Sequence, residues 1–299
     1  MTPRRSTGGA PLGRAFHLIS LGPPALALLV LFVVPLGVVS TYAVLSQGAR
    51  GEPGLPFTAE PLLRALDPLY LGILWRSILM ALGTTLICLV VALPVAWVIR
   101  GMRGRARDLA LLAVVLPSWT NLLVKNYAWI VLLRREGPVN TLLVRSGLLE
   151  APLPLLFNQG AVLVGLVHTF LPFMVLPLYA SLTGLDNRLL EAARDLGAGP
   201  LQRLRRVVLP LALPGIAAGV ILVFIPALGA FVTPDLLGGA RGMMVGNLIQ
   251  NQVLQARDWP FGAALSLWLT LVSLLLIIPL LRSSRDQGRD QGRGPGVVP

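Results

Sequence analysis

Of 299 residues, 55% are hydrophobic and only 13% charged, and the mean hydropathy is +0.76. A soluble domain is about 25% charged, so this chain cannot coat a globule with charge and is an all-α polytopic membrane protein. The net charge of +12 comes from 24 arginines and one lysine scattered through short gaps, which lacks the clustered basic face of a nucleic-acid partner.

Six runs with little or no charge predict spans: residues 18–44, 77–99, 109–133, 161–185, 211–232 and 261–281. At about 1.5 Å per residue each is long enough for a hydrocarbon core of about 30 Å. The first follows Arg4, Arg5 and Arg14 as a signal peptide would. It exceeds an h-region of about 7–15 residues, so a retained span is expected. The third is interrupted only by Lys125, and Cys88, the sole cysteine, lies inside the second. One cysteine excludes an intrachain disulfide and says nothing of redox compartment.

Arginine placement sets the orientation. With the N-terminus inside, 16 arginines fall in inner segments and seven in outer loops, where seven acids balance them. Both termini are therefore expected in the cytoplasm. Residues 1–17 form an inner N-terminal segment, 18–282 the six-helix domain, and 283–299, rich in Gly, Arg, Asp and Gln, a disordered tail. The outer stretch 46–71 is rich in Gly and Pro. Residues 233–260 carry Leu248, Ile249, Val253 and Leu254 at helical spacing and predict a helix lying along the outer surface.

Catalytic chemistry has no signature. Lys125, between Val124 and Asn126, cannot complete a Walker A loop, which needs Gly-Lys followed by Ser or Thr. His17 and His168 are far apart, with no carboxylates spaced for a metal. No cofactor and no enzymatic activity are expected of this chain.

The inner segment between the fourth and fifth spans is different. Asp186, Arg188, Glu191, Arg194, Asp195, Arg203, Arg205 and Arg206 crowd into residues 186–208. Asp186 or Asn187 can cap a helix with Leu189, Ala193 and Leu196 on one face and Glu191 pairing with Arg194 on another. Gly197 suits the position just past its end, and Gly199-Pro200 prevents continuation. A second amphipathic turn spans residues 201–208. By spacing alone this is either a docking element or a loop whose arginines set topology.

Glu191-Ala192-Ala193, then Gly197, then Leu209-Pro210 resembles the EAA motif of ABC importer permeases. The stretches Leu116-Pro117-Ser118-Trp119-Thr120-Asn121, Val232-Thr233-Pro234-Asp235-Leu236-Leu237-Gly238-Gly239 and Arg257-Asp258-Trp259-Pro260-Phe261-Gly262-Ala263-Ala264 resemble the B-type permeases of spermidine/putrescine importers. The likeness runs from the second span to the sixth. It implies the type I permease architecture in a bacterial inner membrane. It also implies a coupling helix at Glu191, Ala192, Ala193 and Gly197, with Asp195 in the same cluster. Implied partners are two ATP-binding cassette subunits, a second similar permease and a periplasmic substrate-binding protein, all working within membrane lipid. Other solutes of related permeases (opine-like compounds, ferric iron, oxyanions) remain the alternative cargo. A secondary transporter or channel without an ATPase would call for intramembrane carboxylates or an internal repeat, and neither is present.

Within the spans, Lys125 costs roughly 2.5–3.5 kcal/mol at a helix centre. It shares a face with Asn121 and Trp129, as a polar stripe toward the pathway or as a lysine snorkelling from the end of its span. His168 is expected to be hydrogen-bonded inside the bundle. Pro94, Pro117, Pro172, Pro177, Pro214 and Pro226 predict kinks, and Gly215 with Gly219 predicts close helix packing. Asp235, beyond the fifth span, either lines the outer gate or contacts a binding protein, or it closes a loop turn.

Overall fold

Long apolar runs leave the backbone no partner but itself, so they form helices. The computed structural model describes residues 12–48, 51–239 and 242–292, with the side chains of 12–21 and 279–292 left aside. In chain order the elements are α1 (Leu12–Tyr42), a hairpin of β1 (Leu45–Gln47) and β2 (Pro53–Phe57), α2 (Glu60–Arg64), α3 (Pro68–Gly101), α4 (Gly104–Trp119), α5 (Leu122–Leu133), α6 (Pro138–Arg145) and α7 (Gln159–Thr183). Then follow α8 (Asn187–Asp195), α9 (Pro200–Arg203), a π turn (Leu204–Val208), α10 (Leu209–Leu228), a second π turn (Pro234–Gly238), α11 (Val245–Leu254) and α12 (Trp259–Gly292).

The core is a bundle of α3, α7 and α10, built on Cys88, Ala92, Ala96, Met174, Leu178, Leu182, Ala212 and Val223. Small residues bring α10 onto α7. A Cβ on Gly215 would lie 2.6 Å from the Pro177 carbonyl oxygen, and one on Gly219 would lie 2.5 Å from Met174 Sδ. The predicted close packing at this pair is present. α12 joins through Phe261, Leu265 and their neighbours. α1 leans on α12 through Val39, Tyr42 and Ala43, while its side chains from Leu26 to Val38 are largely exposed.

Five helical stretches are long and apolar enough to cross a membrane: Gly22–Tyr42, Pro68–Gly101, Gln159–Thr183, Pro200–Leu228 and Trp259–Ile278. The remaining run is not one straight span. Gly104–Trp119 and Leu122–Arg145 meet at 94°, and together they make the sixth crossing only as a broken pair. The break follows Pro117, with Thr120 extended and its hydroxyl donating to the Pro117 carbonyl at 2.7 Å. Asn121 then caps α5 by accepting from the Leu123 N–H at 2.8 Å. Pro94, Pro172, Pro177, Pro214 and Pro226 lie inside continuous helices instead.

The stretch 46–71 contains a short two-stranded antiparallel hairpin, Ser46 opposite Gly54, within an otherwise helical chain. Two further expectations are corrected. α11 lies at the surface only in its later turns, where Leu254 is 67% exposed. Its first turn, Val245 to Leu248, is buried, with the Val245 N–H donating to Ser77 Oγ at 2.8 Å. Gly246 permits this, since a Cβ there would lie 2.5 Å from the Ala230 carbonyl oxygen. α12 continues to Gly292, into the tail expected to be disordered, with no proline between residues 283 and 292 to end it. Residues 1–11 of the inner N-terminal segment and 293–299 of the tail lie outside the described residues.

Candidate functional site

α8 is defined at both ends by its own sequence. The Asp186 carboxylate accepts from the Arg188 N–H at 2.9 Å and caps the first turn. At the other end the Ala198 N–H donates to the Ala193 carbonyl at 2.9 Å and the Gly197 N–H to the Arg194 carbonyl at 2.9 Å. This is the paired closure of a Schellman motif, and it holds Gly197 at φ +79°. Gly199-Pro200 restarts the chain, with the Gly199 N–H donating to Gln202 Oε1 at 3.1 Å. α9 and the π turn then run without a gap into α10.

One side of α8 is attached and the other is free. Leu190 packs against the α3–α7–α10 core. The Arg100 guanidinium, at the end of α3, donates to the Leu185 carbonyl and to Asn187 Oδ1 and lies 5.2 Å from the centre of the Trp97 ring. Leu189, Ala193 and Leu196, predicted to share a face, do so, but that face is turned away from the bundle. Leu189 is 48% exposed and Leu196 88%. Glu191, Ala192, Arg194 and Asp195 are also exposed. The expected Glu191–Arg194 pair is not formed among the described residues. Such an exposed pair contributes only about 0.2–0.5 kcal/mol, too little to order two long side chains. Ala193, Gly197, Gln202 and Arg206 line a cleft of about 500 Å³ beside this face. An apolar stripe ringed by charge, on a helix braced at its back, can receive a partner surface.

Asn121, Lys125 and Trp129 fall at the start and along the first turns of α5. Asn121 is exposed, and its Oδ1 accepts from the Leu123 N–H to cap the helix. Lys125 is the fourth residue of α5, next to the break, not at the middle of a span. Trp129, one turn on, donates from Nε1 to His168 Nδ1 at 3.0 Å, and the rings meet edge to face at 5.7 Å. His168 is thus hydrogen-bonded inside the bundle as expected, with Lys125 as its charged neighbour. Asp235 opens the second π turn with its carboxylate exposed.

Two features escaped the sequence. Asn126 is the buried polar residue of α5, 1% exposed, with Nδ2 donating to the Leu122 carbonyl at 3.0 Å. A Cβ on Gly165 would lie 2.7 Å from Leu237 Cδ1 and 3.6 Å from Asn126 Oδ1. A glycine in α7 facing an asparagine in α5 was the available signal. At the hairpin end, Arg64 pairs with Asp258 at 2.9 Å and lies 4.1 Å from the centre of the Phe261 ring. Asp258 Oδ1 meanwhile accepts from the Phe261 N–H at 3.1 Å. Burial works against the Arg64 charge, but Tyr70 and Asp258 outweigh it and hold the guanidinium above its ordinary value. The motif 257–264 is thus where the loop carrying α2 is fastened to α12.

Residues 68–285 match the family model of the binding-protein-dependent transport system inner membrane component. The chain is 44% identical over 258 residues to the spermidine/putrescine transport system permease protein PotB of Haemophilus influenzae, covering 86% of this chain and 90% of that one. It is 46% identical over 229 residues to PotB of Escherichia coli, covering 77% and 83%. In fold it is similar to a bacterial alginate ABC transporter crystallised with alginate pentasaccharide-bound periplasmic protein. There the TM-score is 0.72 at 17% identity, over 92% of this chain and 96% of that one.

Proposed function

The chain belongs to the family of binding-protein-dependent transport system inner membrane components, and from that premise we propose that it is the polyamine-conducting permease of an ATP-driven importer. Its architecture is that of the type I ABC importer permeases, and its role is transport. The similarity to two spermidine/putrescine permeases over most of the chain carries the choice of cargo. Energy comes from separate ATPase subunits, two per importer, and the passage is completed by a second similar permease. A periplasmic binding protein delivers the cargo. Both termini and α8 face the cytoplasm, where the arginine excess lies.

The exposed face of Leu189, Ala193 and Leu196 is the ATPase contact, flanked by Glu191, Ala192, Asp195 and Gly197. Closure of the ATPases on ATP moves α8, and the Arg100 and Leu190 contacts pass that motion to α3 and the core. Lys125, Trp129 and Asp235 line the route, with Asn121 shaping its bend. Proteoliposomes holding all subunits should accumulate spermidine or putrescine only with ATP inside and binding protein outside. Accumulation without ATP would overturn the coupling; ATP-driven uptake of some other solute but no polyamine would overturn the cargo.

A second cargo reading has one observation in its favour. α3, α5, α7 and α10 carry no Asp or Glu, whereas α5 presents Lys125 and α7 His168, which suits an anionic solute better than a polycation.

A further inference from the structure

Among the described residues, one arginine at the α8 end of the bundle carries a guanidinium nitrogen that is shut off from solvent and has no acceptor. Arg203 is half-buried, its Nε is shut off from solvent without a hydrogen-bond partner, and no ion pair reaches it among the described residues. Arg100 close by, in contrast, spends its donors on Leu185 and Asn187. A half-buried guanidinium without an anionic partner among the described residues gains from an anion placed against its accessible nitrogens.

The space that Arg203 borders limits which anion. It is a groove of about 590 Å³ walled by Leu93, Trp97 and Val98 of α3, Leu190 of α8 and Leu204 of the π turn. These walls are apolar, so a small hydrated ion would gain a charge contact and lose its water. An amphiphile with an anionic head and a hydrocarbon tail satisfies both parts. The height also fits. Trp97 lies one turn before Arg100, where aromatic residues mark the membrane interface. Arg205 and Arg206, both exposed, add positive potential that draws anionic lipid.

We propose that this groove binds one anionic phospholipid, its phosphate on Arg203 and an acyl chain along Leu93, Val98 and Leu204. Assigning it to the inner leaflet rests on the orientation proposed above; the binding itself does not. Because Leu190 and the π turn form facing walls, the lipid braces the α8–α10 linker against α3 from the side opposite the ATPase contact.

The test is native mass spectrometry of the delipidated importer complex offered phosphatidylglycerol or phosphatidylcholine. The wild type should retain phosphatidylglycerol in preference. Arg203→Gln should lower that retention about tenfold, as expected for a lost charge-assisted contact, while Arg205→Gln changes it by less than about twofold. Leu204→Trp, which fills the groove and keeps the charge, should lower retention as well, and it carries the comparison should Arg203→Gln fail to assemble. Excess inorganic phosphate should not displace the lipid. Equal retention of the two lipids, or no effect of either groove variant, would overturn the site. So would an equal loss in Arg205→Gln, displacement by inorganic phosphate, or retention by the isolated chain but not the complex.

Discussion

The Arg100 guanidinium donates to Asn187 Oδ1 at 2.6 Å across 87 positions of sequence, joining the end of a spanning helix to the first turn of α8. A lever works only if it is attached to what it moves, and this is the polar attachment beside the apolar one at Leu190. A hydrogen bond to a charged group contributes about 1.5–3 kcal/mol, less where water competes, as it does at exposed Asn187. Arg100→Ala should therefore cut ATP-driven uptake about tenfold while the ATPase still co-purifies and hydrolyses ATP at its basal rate. Undiminished uptake per ATP hydrolysed would rule the attachment out.

Gly197 and Gly199 are near neighbours with opposite requirements. Gly197 sits at φ +79° with open space where a Cβ would be, so the obstacle to substitution is conformational. Alanine there costs about 1–2 kcal/mol and should weaken ATPase co-purification several-fold. Proline, which cannot adopt that φ and removes the N–H bonded to Arg194, should abolish it. Gly199 has φ −66° and open surroundings, so Gly199→Ala should be nearly neutral. Equal co-purification of Gly197→Pro and wild type would sink the assignment of α8 as the contact.

The contrast explains what could be read before folding. Asp186, Gly197 and Gly199-Pro200 act through local backbone chemistry, so the bounds of α8 were legible. Which of two adjacent leucines faces inward was not, because Leu189 and Leu190 have the same local preferences and only the tertiary core selects Leu190. Hydropathy found the spans for a similar reason, since each is one long uncharged run. It hid the break at Thr120-Asn121 because both flanks are apolar and averaging runs straight across them. Sequence therefore left Lys125 either on a pathway stripe or snorkelling from a span end, whereas the break puts it in the first turn of a new helix.

The two glycines of α10 should respond unequally to alanine. At Gly215 the added methyl meets the Pro177 carbonyl and Ser181 Cβ at 2.6 and 2.5 Å, neither of which can move without shifting α7. At Gly219 it meets Met174 Sδ at 2.5 Å, part of a flexible side chain that can turn aside. Overpacking costs about 1–3 kcal/mol; Gly215→Ala should fall at the upper end and Gly219→Ala at the lower. Thermal unfolding of the purified variants in one detergent measures this, and the reverse order would show that α7 and α10 are not held as close as described.

Lys125 separates the two cargo readings. A lysine facing a water-filled passage repels each cargo charge passing about 8 Å away by about 0.5 kcal/mol. α3, α5, α7 and α10 carry no acid to offset that repulsion. If the cargo is a polyamine, Lys125→Met lowers the barrier by that amount for every ammonium group. Initial uptake then rises about twofold to threefold per charge, and more for spermidine than for putrescine, which has one ammonium fewer. If the cargo is an anion, the same substitution removes the one charged side chain within α5 and uptake collapses. Initial rates for both polyamines in proteoliposomes, wild type against Lys125→Met, decide between them. A rate unchanged for both would mean that the ammonium snorkels away from the route and that selection rests with the binding protein.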